Sequence, residues 1–96
     1  MPKVLIYISS RIVWLFLFYG TDFNEGRAHV HVGKKGMTKL CKIWLEPEVE
    51  VADTGDLNSA QINEVLKVTS EHKEILLKQW ENFKSGKKVS VLTVKR

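Results

Sequence analysis

Residues 12–18 read IVWLFLF, seven apolar side chains in a row with β-branched and aromatic types prominent. The run is too short for an ordinary helix and shows no helical stripe, so it predicts a strand. A strand that is apolar at every position, instead of at every second one, needs cover on both faces, which points to the centre of a sheet. Upstream, VLIYI (4–8) has the same character and is divided from it only by Ser9, Ser10 and Arg11. Two strands meeting at a tight turn follow from that spacing, and the fold is built outward from this hairpin.

Downstream, YGTDFNEGR (19–27) gathers glycine, aspartate and asparagine and predicts a loop. Ala28, Val30 and Val32 then alternate with Arg27, His29 and His31 up to Gly33, the period of a strand with both imidazoles on one face. After the turn GKKG (33–36), Met37 to Leu45 is expected to form a fourth strand, ended by Pro47. Val49 and Val51 alternate with Glu48 and Glu50 in a short edge strand. Asn58 followed by Gln61 has the spacing of a capping box. Ile62, Val65, Leu66, Thr69, His72, Leu76, Trp80 and Phe83 continue the apolar stripe of one long helix, or of two joined near Ser70, to about Lys84, with Ser85-Gly86 as the stop.

The expected fold class is therefore α+β: a mainly antiparallel sheet of four or five strands, with a long C-terminal helix or helix pair packed on one face. Antiparallel order follows because connections between successive strands are too short for crossovers. At 96 residues the chain is read as a single domain, 1–96, with 87–96 (KKVSVLTVKR) an extra strand or a tail. Trp14, Trp44 and Trp80 fall in strands and on the helix stripe, where core packing is the expected role.

Composition excludes several classes. Apolar residues at 44% and charged residues at 27% are ordinary globular usage. Ser9, Ser10 and Arg11 divide the apolar N-terminal part into runs far shorter than the ~20 residues a spanning helix needs, so no membrane segment is expected. With Lys3 its only early basic side chain and no small-x-small site after Phe18, that part does not read as a signal peptide. A single cysteine, Cys41, forms no intrachain disulfide and fits a reducing cytoplasm. Net charge is +4 but segregated. Arg27, Lys34, Lys35, Lys39 and Lys42 form a basic segment without an acid, Glu46, Glu48, Glu50, Asp53 and Asp56 an acidic one without a base, and Lys84, Lys87, Lys88, Lys95 and Arg96 make the end basic again.

The two histidines of AHVHV admit three readings. A metal ion could bridge them, but zinc needs further ligands, and Cys41, His72, Asp22 and Glu25 stand at no recognisable motif spacing. Lys34, Lys35 and Arg27 also oppose a divalent cation, so neither metal nor cofactor is expected. The same basic residues suit an anion: His29 and His31 as the catalytic acid and base of a metal-independent ribonuclease, with Arg27, Lys34 and Lys35 as anion-binding residues. In the third reading both imidazoles are hydrogen-bonded and chemically idle. Separately, the alternation of the final KKVSVLTVKR suits strand addition to a neighbouring chain, with Val89 and Val91 at the partner interface.

The order strand pair, turn-rich loop, AHVHV, KKG, a strand ending in IWLEP, then EHKEILLKQWENF resembles a small bacterial family catalogued as domain of unknown function 4160. The resemblance covers roughly residues 1 to 84, and its most specific pieces are HVHV (His29 to Val32), WLEP (Trp44 to Pro47) and LLKQWENF. Members usually carry Pro-Pro before the first histidine, where this chain has Arg27 and Ala28. The resemblance implies a component of a toxin–antitoxin-type gene pair, often encoded beside another small protein, and implies no catalytic residues. The first expectation is thus a protein-binding component of such a module, with a protein partner or self-association. The ribonuclease is the alternative, and a regulator binding nucleic acid through the basic segment comes last. The acidic stretch opposes a long duplex, and there is no three-helix reader unit.

Overall fold

The computed structural model describes residues 3–9, 12–19, 24 and 26–96. Six strands and two helices follow in the order β1 (Lys3–Ser9), β2 (Ile12–Leu17), β3 (His29–Gly33), β4 (Cys41–Trp44), β5 (Glu50–Asp53), α1 (Ser59–Glu71), α2 (Lys73–Lys84) and β6 (Leu92–Lys95). They form one sheet in the order β5-β4-β3-β2-β1-β6. The architecture is α+β, as expected, with β2 in the sheet interior. Most of the loop 19–27 lies outside the described residues.

The sheet departs from the expected one in four ways. It has six strands, not four or five, and it is mixed: β1 and β6 are parallel, with Leu5 opposite Leu92 and Tyr7 opposite Val94, whereas the other pairs are antiparallel. Two helices precede β6, and they supply the long crossover that parallel pairing requires. The fourth strand begins at Cys41, not at Met37. The Asp56 carboxylate accepts the backbone N–H groups of Thr38 (3.1 Å) and Lys39 (2.9 Å), so those donors serve a loop instead of a ladder. Finally, IVWLFLF is not covered throughout: Val13 is 45% exposed, near the end of β2 where it pairs with Ile8.

Cross-strand partners share a sheet face. One face carries Leu5 and Phe16, Tyr7 and Trp14, Val32 and Cys41, Val30 and Ile43, all buried. Helix contacts on this face include Tyr7 edge-on to His72 and the Trp14 indole N–H donating to Glu64 Oε1 at 2.8 Å. That bond satisfies the one polar group of a fully buried tryptophan, which would otherwise cost about 1–3 kcal/mol.

The helical stripe is divided. At the start of α1 the Asn58 side chain accepts from the Gln61 N–H, while the Gln61 side chain accepts from the Asn58 N–H, a complete capping box. His72 ends α1 with φ −114° and ψ 18°. Its backbone N–H and its Nδ1 both approach the Val68 carbonyl, at 3.1 and 2.8 Å. The Leu76 N–H then donates to the His72 carbonyl and restarts the ladder in α2. No helix among the described residues is long and apolar enough to cross a membrane.

Candidate functional site

The face opposite Trp14 and Phe16 carries the chemistry. Register places Leu17, His31, Lys42 and Asp53 in one row across β2 to β5, and His29, Trp44 and Glu50 in the next. His29 is fully buried. Its ring lies 4.9 Å from Trp80, 5.5 Å from Trp44 and 5.2 Å from His31. Its Nδ1 stands 2.9 Å from the Arg27 carbonyl, and because a carbonyl only accepts, Nδ1 is the nitrogen that carries the proton. His29 and Phe18 occupy the same end of the β2–β3 pair, and Trp80 packs against both, 5.2 Å from Phe18.

His31 faces a different environment. Its ring stacks on Tyr19 at 3.9 Å and 22°, and both border an open groove of about 330 Å³ whose other walls include Thr38, Lys39, Lys42 and Asp53. The two imidazoles therefore stand edge to face, one internal and one on the groove, and not on either side of a substrate-sized gap.

The turn 53–56 shapes the far wall. Gly55 has φ +55°, and a Cβ there would stand 2.6 Å from the carbonyl oxygens of both Lys39 and Leu40. Glycine thus permits the close approach that lets Asp56 hold Thr38 and Lys39 through their amides. The Asp53 carboxylate accepts from the Gly55 N–H at 2.9 Å and braces the same turn.

The other sequence-derived candidates are dispersed. Arg27 precedes β3 and Lys34 follows it, so at ~3.3 Å per residue they are roughly 20 Å apart and do not form one anion site. Arg27 is engaged at its own end, donating to the Glu46 carbonyl, pairing with Glu50 at 2.8 Å and lying 4.2 Å over Trp44. Lys34 borders the turn after β3, closed by the Met37 N–H on its carbonyl, and Lys35 is exposed there. Lys42 approaches Trp44, 4.6 Å from the ring centre. Val89 is half-buried against the core and Val91 is 46% exposed.

Cys41 lies on the face away from His31, and burial first, then Asp53, pushes its thiol up to about 11. Asp22 and Glu25 fall outside the described residues. Among those described, no three His, Cys, Asp or Glu side chains are grouped so as to hold a metal ion. Of the groove residues, Lys39, Lys42 and Asp53 were read from sequence only as members of the basic and acidic segments, and Tyr19 only as part of a loop. Lys42 and Asp53 become His31's neighbours through strand register, which neither the charge segments nor the period-two alternation of each strand specifies.

No curated protein and no solved structure matches the chain. A family model described as Domain of unknown function (DUF4160) matches residues 14–81, from within β2 to within α2, and the chain belongs to that family.

Proposed function

We propose that the protein is the protein-binding component of a toxin–antitoxin-type module and that it engages its partner by strand addition at β6. The carrying observation is that β6 stands at the edge of the sheet, with β1 as its one neighbour among the described strands. A strand edge offers unpaired main-chain groups to an extended segment. Because the Arg96 N–H donates to the Ile8 carbonyl, alternation directs the amides of Thr93 and Lys95 outward. Val91 and Thr93 are exposed beside that edge, whereas Val89 anchors the approach to the strand. Lys87, Lys88, Lys95 and Arg96, with no acid nearby in sequence, favour an acidic extended segment of the partner.

The test uses as partner the small protein that the toxin–antitoxin-type reading expects to be encoded beside this one. Titration calorimetry with wild type and Thr93→Pro compares an intact edge with one whose outward amide is removed while the internal ladder to β1 is spared. The expected result is complex formation that weakens by about tenfold or more in Thr93→Pro, with the circular dichroism spectrum unchanged. Replacing Lys87 and Lys88 by Glu weakens it further. Equal affinity of wild type and Thr93→Pro refutes the edge reading, as does failure of the two proteins to associate.

A further inference from the structure

The groove beside His31 is remote in the sheet from β6 and is not used by the proposed strand addition. We infer that it is a binding site for a nucleotidyl phosphate, with Lys39 and Lys42 holding the phosphate and the Tyr19–His31 stack forming an aromatic wall for the base. Its volume of about 330 Å³ lies at the lower end of the range for small-ligand pockets and suits one nucleotide. Two lysines from different segments line it: Lys42 from β4, whose ammonium rests 4.6 Å from the Trp44 ring centre, and Lys39 from the loop that Asp56 pins by two backbone bonds. Holding the loop in place reduces what must be ordered when an anion arrives. Tyr19 and His31 lie nearly parallel at 3.9 Å, a preformed aromatic surface of the kind that takes bases without sequence preference. Thr38 lines the same wall.

Asp53 is the one acid among the described residues that line the groove, and it stands directly opposite Lys42 in register. Its charge opposes a phosphate, and with Glu50 on the same edge strand it opposes a rigid duplex laid across the sheet. The ligand chemistry is therefore that of a single nucleotide unit, available either as a free mononucleotide or within a single-stranded RNA.

The experiment titrates the full-length protein at low salt with uridine monophosphate and, separately, with a fluorescein-labelled single-stranded RNA octamer. Saturable binding of either ligand is expected. Tighter binding of the octamer, with affinity falling as salt rises, assigns the site to single-stranded RNA, and equal affinity per nucleotide assigns it to the free nucleotide. Lys39→Glu, at an exposed position, is expected to weaken binding by about tenfold. Asp53→Asn keeps the Oδ1 acceptor for Gly55 but removes the opposing charge, and should tighten binding several-fold, a gain that a damaged fold cannot mimic. Absence of saturable binding by both ligands overturns the assignment, and so does binding indifferent to both Lys39→Glu and Asp53→Asn. Lys78→Glu, exposed on α2 and outside the groove, should leave nucleotide binding unchanged.

Discussion

At the scale of single residues, the structure is most exacting where backbone approaches backbone. Gly55→Ala places a methyl 2.6 Å from two carbonyl oxygens at a positive φ, so the loop 38–40 must move. The expected cost is ~1–2 kcal/mol from the left-handed conformation alone, read as a lowered urea midpoint. Gly36, at φ +92°, has nothing within 4 Å of its would-be Cβ, so Gly36→Ala should cost only the conformational part. Cys41 provides a pH signature. Its thiol ionises near 9.0 when unfolded and only near about 11 when folded, so the native state holds the proton more tightly. The stability it contributes is complete below pH 9 and is lost as pH rises toward 11. Urea midpoints for wild type and Cys41→Val should therefore run parallel up to pH 9, with only the wild type bending downward from that difference above it. Trp80 packs on His29, Phe18 and Phe83, and Trp80→Ala should cost ~3–5 kcal/mol in the same assay.

At the scale of elements, the capping box and the strand register do different work. Asn58→Ala removes one half of a reciprocal pair at the start of α1 and should lower stability by ~1 kcal/mol, with little change in the helical circular dichroism signal. The box was legible because its two residues are three apart in sequence. The break between α1 and α2 was legible only to within a turn, since Ser70 and His72 both sit at the point where the stripe thins, and the choice depends on the His72 ring reaching the Val68 carbonyl. The groove illustrates the reverse. His31, Lys42 and Asp53 belong to three strands, and their row follows from pairings set partly by a register shift between Lys42 and Ile43.

For the whole molecule, the decisive element is β6. Leu92 and Val94 are half-buried against the core, and the strand completes the sheet beside β1. Deleting residues 87–96 should therefore lower the unfolding free energy by several kcal/mol, in keeping with ~0.8 kcal/mol per buried methylene, as well as remove the docking edge. Thr93→Pro separates those effects, because it strikes the outer side of the strand alone. The segregated charges also acquire a spatial meaning. The acidic segment forms the β5 edge, where Glu50 meets Arg27 and Asp53 faces Lys42, while the basic end forms the opposite edge at β6.

What the amino-acid order determined by itself is local: the antiparallel pairing of β1 with β2, the interior position of IVWLFLF, the alternation that makes β3, the Asn58–Gln61 cap and the apolar stripe through Trp80. Each rests on residues within a few positions of one another, where period and turn chemistry act directly. The tertiary structure alone decided the rest. The alternation of KKVSVLTVKR is equally compatible with a partner's sheet and with its own, and the parallel seat beside β1 depends on two helices returning the chain across the core. His29 and His31 read as equivalent, one residue apart on one face. Packing separates them, enclosing His29 under Trp80 and leaving His31 on the groove with Lys42, because what covers a side chain comes from elements distant in sequence.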